Sequence, residues 1–322
     1  MRGLVQGVGL NLLPLQLDAG SVAGQVLTVD IPPLRLVRFR VSGRVHSIGQ
    51  KPRGVLAVSI DLDPRSTPAP WFSHGEVLPA DCLFGQCVDR DIHITLPGQI
   101  SLGMVIVSLP ALRSWASELG WPGFNGELLP SSNVHLMHAD AAHTLRRYLC
   151  QLFALAERAP DRLRRSACQR LVREDLTPLL LEALITGPGQ PSRRRGGASA
   201  RIELVKDIQR WLHCHPNTPV TLADLCREAH ASRRTLIQGF QDHLGMGPMA
   251  YVRLLRLHAI RRRLLHAEPG DLLIGPLSEA WGFQNAGHFA ATYRRLFGET
   301  PRATLRRAPP RPARGEARMG GS

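Results

Sequence analysis

The chain has little of what would mark an enzyme, a secreted protein or a membrane protein. Its six cysteines (Cys82, Cys87, Cys150, Cys168, Cys214 and Cys226) contain no CxxC pair. Several fall on apolar helix faces, so free thiols in a reducing compartment are the plain reading, with the cytoplasm as the expected location. Cys82 and Cys87 could oxidise or share a metal, but two thiols are too few for a zinc-type cluster. No apolar run reaches about 18 residues, so no membrane span is expected. Met1 to Ala19 is interrupted by Asn11, Pro14, Gln16 and Asp18 and is not read as a signal peptide. There is no P-loop, no GxGxxG after a strand, no HExxH and no GxSxG elbow. Asp61 and Asp63 alternate on one strand face, as do Asp89 and Asp91, without a neighbouring base or metal cluster. No catalytic residue and no cofactor is therefore expected. His46, His74 and His93 could in principle meet inside a β-barrel. They form no compact motif, and surface or hydrogen-bonded imidazoles are expected rather than a metal site.

Lysine is nearly absent, and arginine carries a net charge of +14 over 322 residues. That balance favours a polyanionic partner. The part of the chain that could use it is written twice. LADLCREAHASRRTLIQGFQDHLGMGP runs from Leu222 to Pro248, and IGPLSEAWGFQNAGHFAATYRRLFGETP from Ile274 to Pro301. Cys226 aligns with Ser278 and His230 with Gly282. After one extra residue, Leu236 aligns with Phe289, Phe240 with Tyr293, Gly245 with Gly298 and Pro248 with Pro301. Two copies are too few for a stacked solenoid, which needs about three or more.

Each copy reads as a helix–turn–helix. In the first, Thr221 caps a short helix with Leu222, Leu225 and Cys226 on one face. Ala229, His230 and Ala231 make the turn. Ser232 caps the next helix, which buries Leu236 and Phe240 and stops at Gly245 before Pro248. In the second, Leu277 and Trp281 face inward, Gly282 turns the chain, and Phe289 and Tyr293 anchor the following helix. Between them Met249 to His266 is a longer amphipathic helix, with Val252, Leu255, Ala259 and Leu264 as the expected buried stripe and Arg253, Arg256, Arg261, Arg262 and Arg263 as its expected solvated face. Such a spacer would set two recognition helices into successive major grooves, roughly 34 Å apart.

This paired pattern resembles the DNA-binding domain of the AraC-type (AraC/XylS) transcriptional regulators. The matching residues are Leu225, Ser232, Leu236, Phe240, Gly245, Pro248 and Tyr251, then Trp281-Gly282-Phe283, Phe289, Tyr293, Phe297-Gly298 and Pro301. They run through about the last third of the chain, Ile202 to Arg306. Three positions depart from the pattern: His230 where a turn glycine is common, Ser278 where alanine is common, and Gly287 where serine or a larger residue is common.

Outward-facing groups follow from the buried ones. In the first copy Arg233, Arg234, Ile237 and Gln238 face out; arginine can read guanine, glutamine adenine, and isoleucine a thymine methyl. In the second copy Gln284, Asn285 and His288 form the polar set, with Ala291 beside them. Ser232, Thr292, Arg294, Arg295 and Arg302 are read as structural or phosphate-contacting groups, which position without specifying. The alternative is that some of these side chains are ordinary solvated surface.

The expected fold class is α+β: a β-rich N-terminal domain and an all-α C-terminal one. VLTVDI, LRLVRFRV, VLAVSIDL, HITL and MVIVSL, between Gln25 and Leu109, are strand-like and suggest a small antiparallel barrel or sandwich, with Trp71 and Phe72 near a hairpin. Leu112–Leu119, Asn133–Glu157 and Asp161–Ile185 read as helices that either cover the β domain or pair two subunits. The expected boundaries are 1–186 for the β-rich domain with its helices, 187–200 for a Gly-, Pro- and Arg-rich linker, 201–306 for the double helix–turn–helix, and 307–322 for a disordered basic tail. Arg193, Arg194 and Arg195 in the linker are read as either phosphate contacts or a solvated charge run. The resemblance implies a small-molecule effector in the N-terminal domain, with amines, sugars and aromatic acids all open. It also implies promoter or operator DNA and RNA polymerase as partners, and a homodimer as one use of the helices. An architectural DNA-binding protein without an effector is the alternative.

Overall fold

The computed structural model describes residues 10–64, 69–121, 133–185, 187, 196–267 and 273–307. They fall into two compact units. The first lies within Met1–Asp18, Val22–Glu203 and Asp242–Leu244, and the second within Ala19–Ser21, Leu204–Gln241 and Gly245–Ser322.

The first unit is built on two antiparallel sheets. The strands are β1 (Asn11–Gln16), β2 (Gly24–Ile31), β3 (Leu34–Val41), β4 (Val45–Gln50), β5 (Val55–Asp61), β6 (Trp71–Ser73), β7 (Glu76–Leu78), β8 (Cys82–Phe84), β9 (Ile92–Leu96), β10 (Ile100–Ser108) and β11 (Val134–Leu136). One sheet has the order β1-β4-β9-β6-β7 and the other β11-β8-β5-β10-β3-β2. Strand alternation sorts the apolar side chains into two cores. On β3, Leu34 and Leu36 join a core with the helices, whereas Val37 and Phe39 join a second core with Trp71, Ile94 and Leu96 of the other sheet. On β5, Leu56, Val58 and Ile60 take the first side and Ala57 the second. The near-continuous apolar runs are therefore strands buried on both faces.

Helices α1 (Leu109–Glu118), α2 (Ala139–Arg158), α3 (Pro160–Leu163) and α4 (Ser166–Ile185) complete this unit. Leu145, Leu149, Leu152 and Phe153 of α2 and Leu176, Leu180 and Leu181 of α4 pack on the six-stranded sheet. Each fully buried side chain of this size is worth roughly 1.5–3 kcal/mol. Arg38, buried on β3, bonds the Glu157 carboxylate and lies 5.6 Å from the Phe153 ring centre. The helix expected over Asn133–Glu157 starts late. Val134–Leu136 pairs with Cys82–Phe84 as a sheet edge, so that backbone is committed to a ladder and α2 begins only at Ala139. The helix expected over Asp161–Ile185 is divided between α3 and α4.

The second unit is helical: most of α5 (Gly196–Cys214), α6 (Leu222–Glu228), α7 (Arg233–Leu244) up to Gln241, α8 (Pro248–His266), α9 (Ile274–Ala280), α10 (Ala286–Phe297) and α11 (Pro301–Arg306). Helix α5 starts at Gly196, inside the stretch expected to be linker, where alanine is a strong helix former. Arg193, Arg194 and Arg195 and the tail beyond Arg307 lie outside the described residues.

Helix α8 is more deeply buried than its arginines suggest. Tyr251, Val252, Leu254, Leu257, Ala259, Ile260 and Leu264 are buried around much of its circumference. Three of the arginines expected to be solvated are only half exposed. Arg256 donates to the Thr218 carbonyl at 2.9 Å. Arg261 donates to Glu299 at 2.8 Å and lies 4.5 Å from the Phe297 ring centre. Arg262 is the third. A helix packed from both sides keeps its arginines by burying their stems and pairing their heads.

Candidate nucleic-acid interface

The first helix–turn–helix forms for local reasons. Thr221 and Asp224 make a capping box: the Thr221 hydroxyl accepts from the Asp224 N–H at 3.2 Å, and the Asp224 carboxylate accepts from the Thr221 N–H at 2.8 Å. The Thr221 hydroxyl bond, with further help from the Thr221 N–H and Arg227, holds the Asp224 carboxyl down at about 2. After α6 the chain turns through His230, which takes a left-handed φ of 46°. Ser232 then caps α7 by accepting from the Thr235 N–H at 3.1 Å. Leu225, Leu236 and Phe240 are buried, and the Phe240 ring lies 5.6 Å from that of Tyr251 on α8. Gly245 ends α7 with φ 71°.

The second copy repeats this plan. Leu277 and Trp281 are buried, Gly282 turns with φ 81°, and Gly298 ends α10 with φ 71°. Phe283, Phe289, Tyr293 and Phe297 form a chain of ring contacts, with successive centroids 5.1, 5.8 and 4.6 Å apart. The Tyr293 hydroxyl donates to Thr304 on α11 at 2.9 Å, so Pro301 opens a further short helix rather than only ending α10. Ser278 is 1% exposed and donates to the Gly275 carbonyl at 2.8 Å, which explains a small residue there.

With these positions fixed, the remaining side chains of each second helix face outward. Arg233, Arg234, Ile237 and Gln238 are exposed at the start and along the outer face of α7. Gln284, Asn285 and His288 are exposed at the start of α10, with Ala291 one turn on. Gln284, Asn285 and His288 border a cleft of about 200 Å³ with Arg253 and Arg256 of α8. Asn285 carries a role the sequence reading missed: it is the N-cap of α10, its side-chain oxygen accepting from the His288 N–H at 2.9 Å. A polar residue three before a helical His288 is the signal that could have found it. Thr292 is buried, which suits structural duty, whereas Arg294, Arg295 and Arg302 are exposed.

The first unit holds a separate cavity of about 90 Å³ between its sheets. Val26, Phe39, Ile94, Leu96, Leu102 and Met104 give it apolar walls, and Ser59, Ser73, Lys51 and Asn133 are polar points on them. The Lys51 ammonium donates to the Gly85 and Cys87 carbonyls at 2.6 and 2.7 Å, and burial pulls it down to about 8. Burial pushes the Cys82 thiol up to about 12, the opposite of what a ligating thiolate needs. No described helix is long and apolar enough to cross a membrane.

Residues 225–307 match a family profile described as a helix-turn-helix domain. Over 99 residues the chain is 36% identical to a probable thc operon regulatory protein of Rhodococcus erythropolis, covering 31% of this chain and 30% of that one. It is 28% identical over 187 residues to the HTH-type transcriptional activator RhaS of Pectobacterium atrosepticum, covering 58% and 61% of the two chains. The chain thus spans less than two thirds of either curated relative. Among solved structures it is similar to a probable AraC family transcriptional regulator from Rhodopseudomonas palustris, with 32% identity, 34% of this chain, 99% of that chain and a TM-score of 0.31. Over residues 225–307 the chain therefore carries the helix-turn-helix domain that this profile describes.

Proposed function

We propose that the protein is a sequence-specific transcriptional regulator that reads promoter DNA with both helix–turn–helix units. The observation that carries this reading is the duplication. Two aromatic-anchored units flank one buried helix, and each leaves the first turn of its second helix polar and exposed. In this reading Arg233, Arg234, Ile237, Gln238, Gln284 and His288 meet base edges. Asn285 caps α10 with its oxygen and offers its amide to the groove. The arginine excess supplies the sequence-independent phosphate attraction.

The β-sandwich is the sensor, and its cavity the effector site. Largely apolar walls with a few polar points suit a small, mostly hydrocarbon or aromatic molecule better than a sugar. Effector binding, or pairing of two copies through α2 and α4, would change how the recognition helices are presented and so recruit or exclude RNA polymerase in the cytoplasm.

Footprinting of the protein on its own upstream DNA at two salt concentrations tests the reading. Two protected patches about one helical turn apart, surviving competitor DNA, are expected. Diffuse protection lost at the higher salt would mean charge-driven binding without base readout, the behaviour of an architectural protein.

A further inference from the structure

The histidines that looked dispersed in sequence come together in the first unit. His46 on β4, His93 on β9 and His243, in the last turn of α7 (Asp242–Leu244), which falls within this unit, are 0%, 3% and 5% exposed. One ring nitrogen from each lies within 4.8 Å of the other two. His93 Nδ1 and His243 Nε2 are 3.2 Å apart. Two imidazole nitrogens each about 2.0–2.1 Å from a tetrahedral zinc ion sit about 3.3 Å from one another, so this pair already has the spacing a shared cation requires. His46 Nδ1 is 2.9 Å from the Thr95 hydroxyl oxygen. With the Nδ1 proton donated there, Nε2 keeps its lone pair, the support that metal-ligating histidines receive from a neighbouring acceptor. The His46 ring meets the His93 ring edge-on at 4.7 Å and the His243 ring at 5.9 Å.

We propose that His46, His93 and His243 form a binding site for a divalent transition-metal cation of the zinc type. Three neutral imidazoles suit a borderline cation such as Zn²⁺, Co²⁺ or Ni²⁺ and do not suit Mg²⁺ or Ca²⁺, which take oxygen donors. In the metal-free protein one of the facing nitrogens of His93 and His243 carries a proton and donates it to the other. When the cation binds, that proton leaves or moves to the far nitrogen of its ring, and both lone pairs turn to the metal. Three protein donors leave a fourth position for water, and burial of all three slows exchange of the ion. His93 also lines the apolar cavity, so the ion would lie beside the proposed effector site.

The test uses the full chain, stripped with a chelator and titrated with Co²⁺, then challenged with Zn²⁺. One equivalent of Co²⁺ should bind, with the intense visible bands of four-coordinate cobalt and no thiolate charge-transfer band, and Zn²⁺ should bleach them. His93→Gln and His243→Gln should each weaken binding at least tenfold. His143→Gln, an exposed histidine of α2, should leave it unchanged. Only weak six-coordinate bands, a thiolate band, or unchanged affinity in both core variants would overturn the proposal. The wild-type spectrum decides alone if a core variant does not fold.

Discussion

The two turns place opposite residues in the same backbone conformation, and exchanging their chemistry should move stability in opposite directions. His230 and Gly282 occupy equivalent positions in the repeat, with φ of 46° and 81°. A side chain in this left-handed region costs roughly 1–2 kcal/mol, a cost glycine escapes. Glycine in turn carries about 0.4–1 kcal/mol of extra unfolded-chain entropy. His230 is exposed, so trimming it loses little packing, and His230→Gly should stabilise the first helix–turn–helix by about 1 kcal/mol. Gly282→Ala should destabilise the second by about the same or slightly more. An added Cβ there would come within 2.7 Å of Arg256 Nη1, and moving that guanidinium strains its bond to the Thr218 carbonyl. Gly282→Val, with a branched Cβ, should cost more again and abolish protection of one half-site. Native-state hydrogen exchange reads each helix–turn–helix separately. Amides of α7 should exchange about fivefold slower in His230→Gly, and those of α10 about fivefold faster in Gly282→Ala. Shifts of the same sign in the two variants would refute the assignment of a common strained turn.

Two further outcomes follow from single side chains. Arg234→Ala should cost about 1–3 kcal/mol at one base pair of the operator and relax specificity there. An equal loss on every sequence in a binding series would make Arg234 a phosphate contact instead. Lys51 is held at about 8 in the folded chain against an ordinary 10.5. Below about 8 it is protonated whether folded or not, and its burial cost is present in full. Between the two values the unfolded chain holds a proton that the folded chain lacks. Stability should therefore rise with pH across that window, by up to about 1.4 kcal/mol per unit. Denaturation midpoints of Lys51→Met should lack this rise, and parallel pH curves for the two proteins would reject it.

What could be read in advance tracks how local the determining physics is. The caps at Thr221 and Ser232, the glycine stops at Gly245 and Gly298 and the aromatic pairs four residues apart are set by neighbours within one or two turns, so the helical repeat and its exposed residues were legible. Asn285 was half legible: its exposure followed from the repeat, but its cap bond needed the helix start at Ala286 to be placed to the residue. Strand existence was legible for the long apolar runs, whereas the short β8 and β11 depend on distant ladder partners: β11 pairs β8 some fifty residues away, and β8 also pairs β5 at Ser59 and Phe84. The arginines of α8 misled because amphipathic reasoning counts charge as exposure. Glu299, which pairs Arg261 and Arg307 at 2.8 and 2.7 Å, lies two helices further along the chain than α8 and is invisible to a periodicity.

The histidines are the extreme case of the same rule. His93 and His243 are separated by 150 positions, and no spacing motif spans that distance. Reading His46, His74 and His93 as dispersed surface or hydrogen-bonded groups missed their convergence for want of the fold, not of chemistry: all three are buried, and His46 and His93 are hydrogen-bonded. His93 stacks on His74 at 5.8 Å and on His243 at 4.7 Å, with Thr95 holding the one nitrogen of His46 that a cation would not use. A buried imidazole cluster costs desolvation wherever it occurs. A cation that takes one lone pair from each of three rings would account for their convergence, and that is why the cobalt titration ranks above further mutagenesis of the sandwich core.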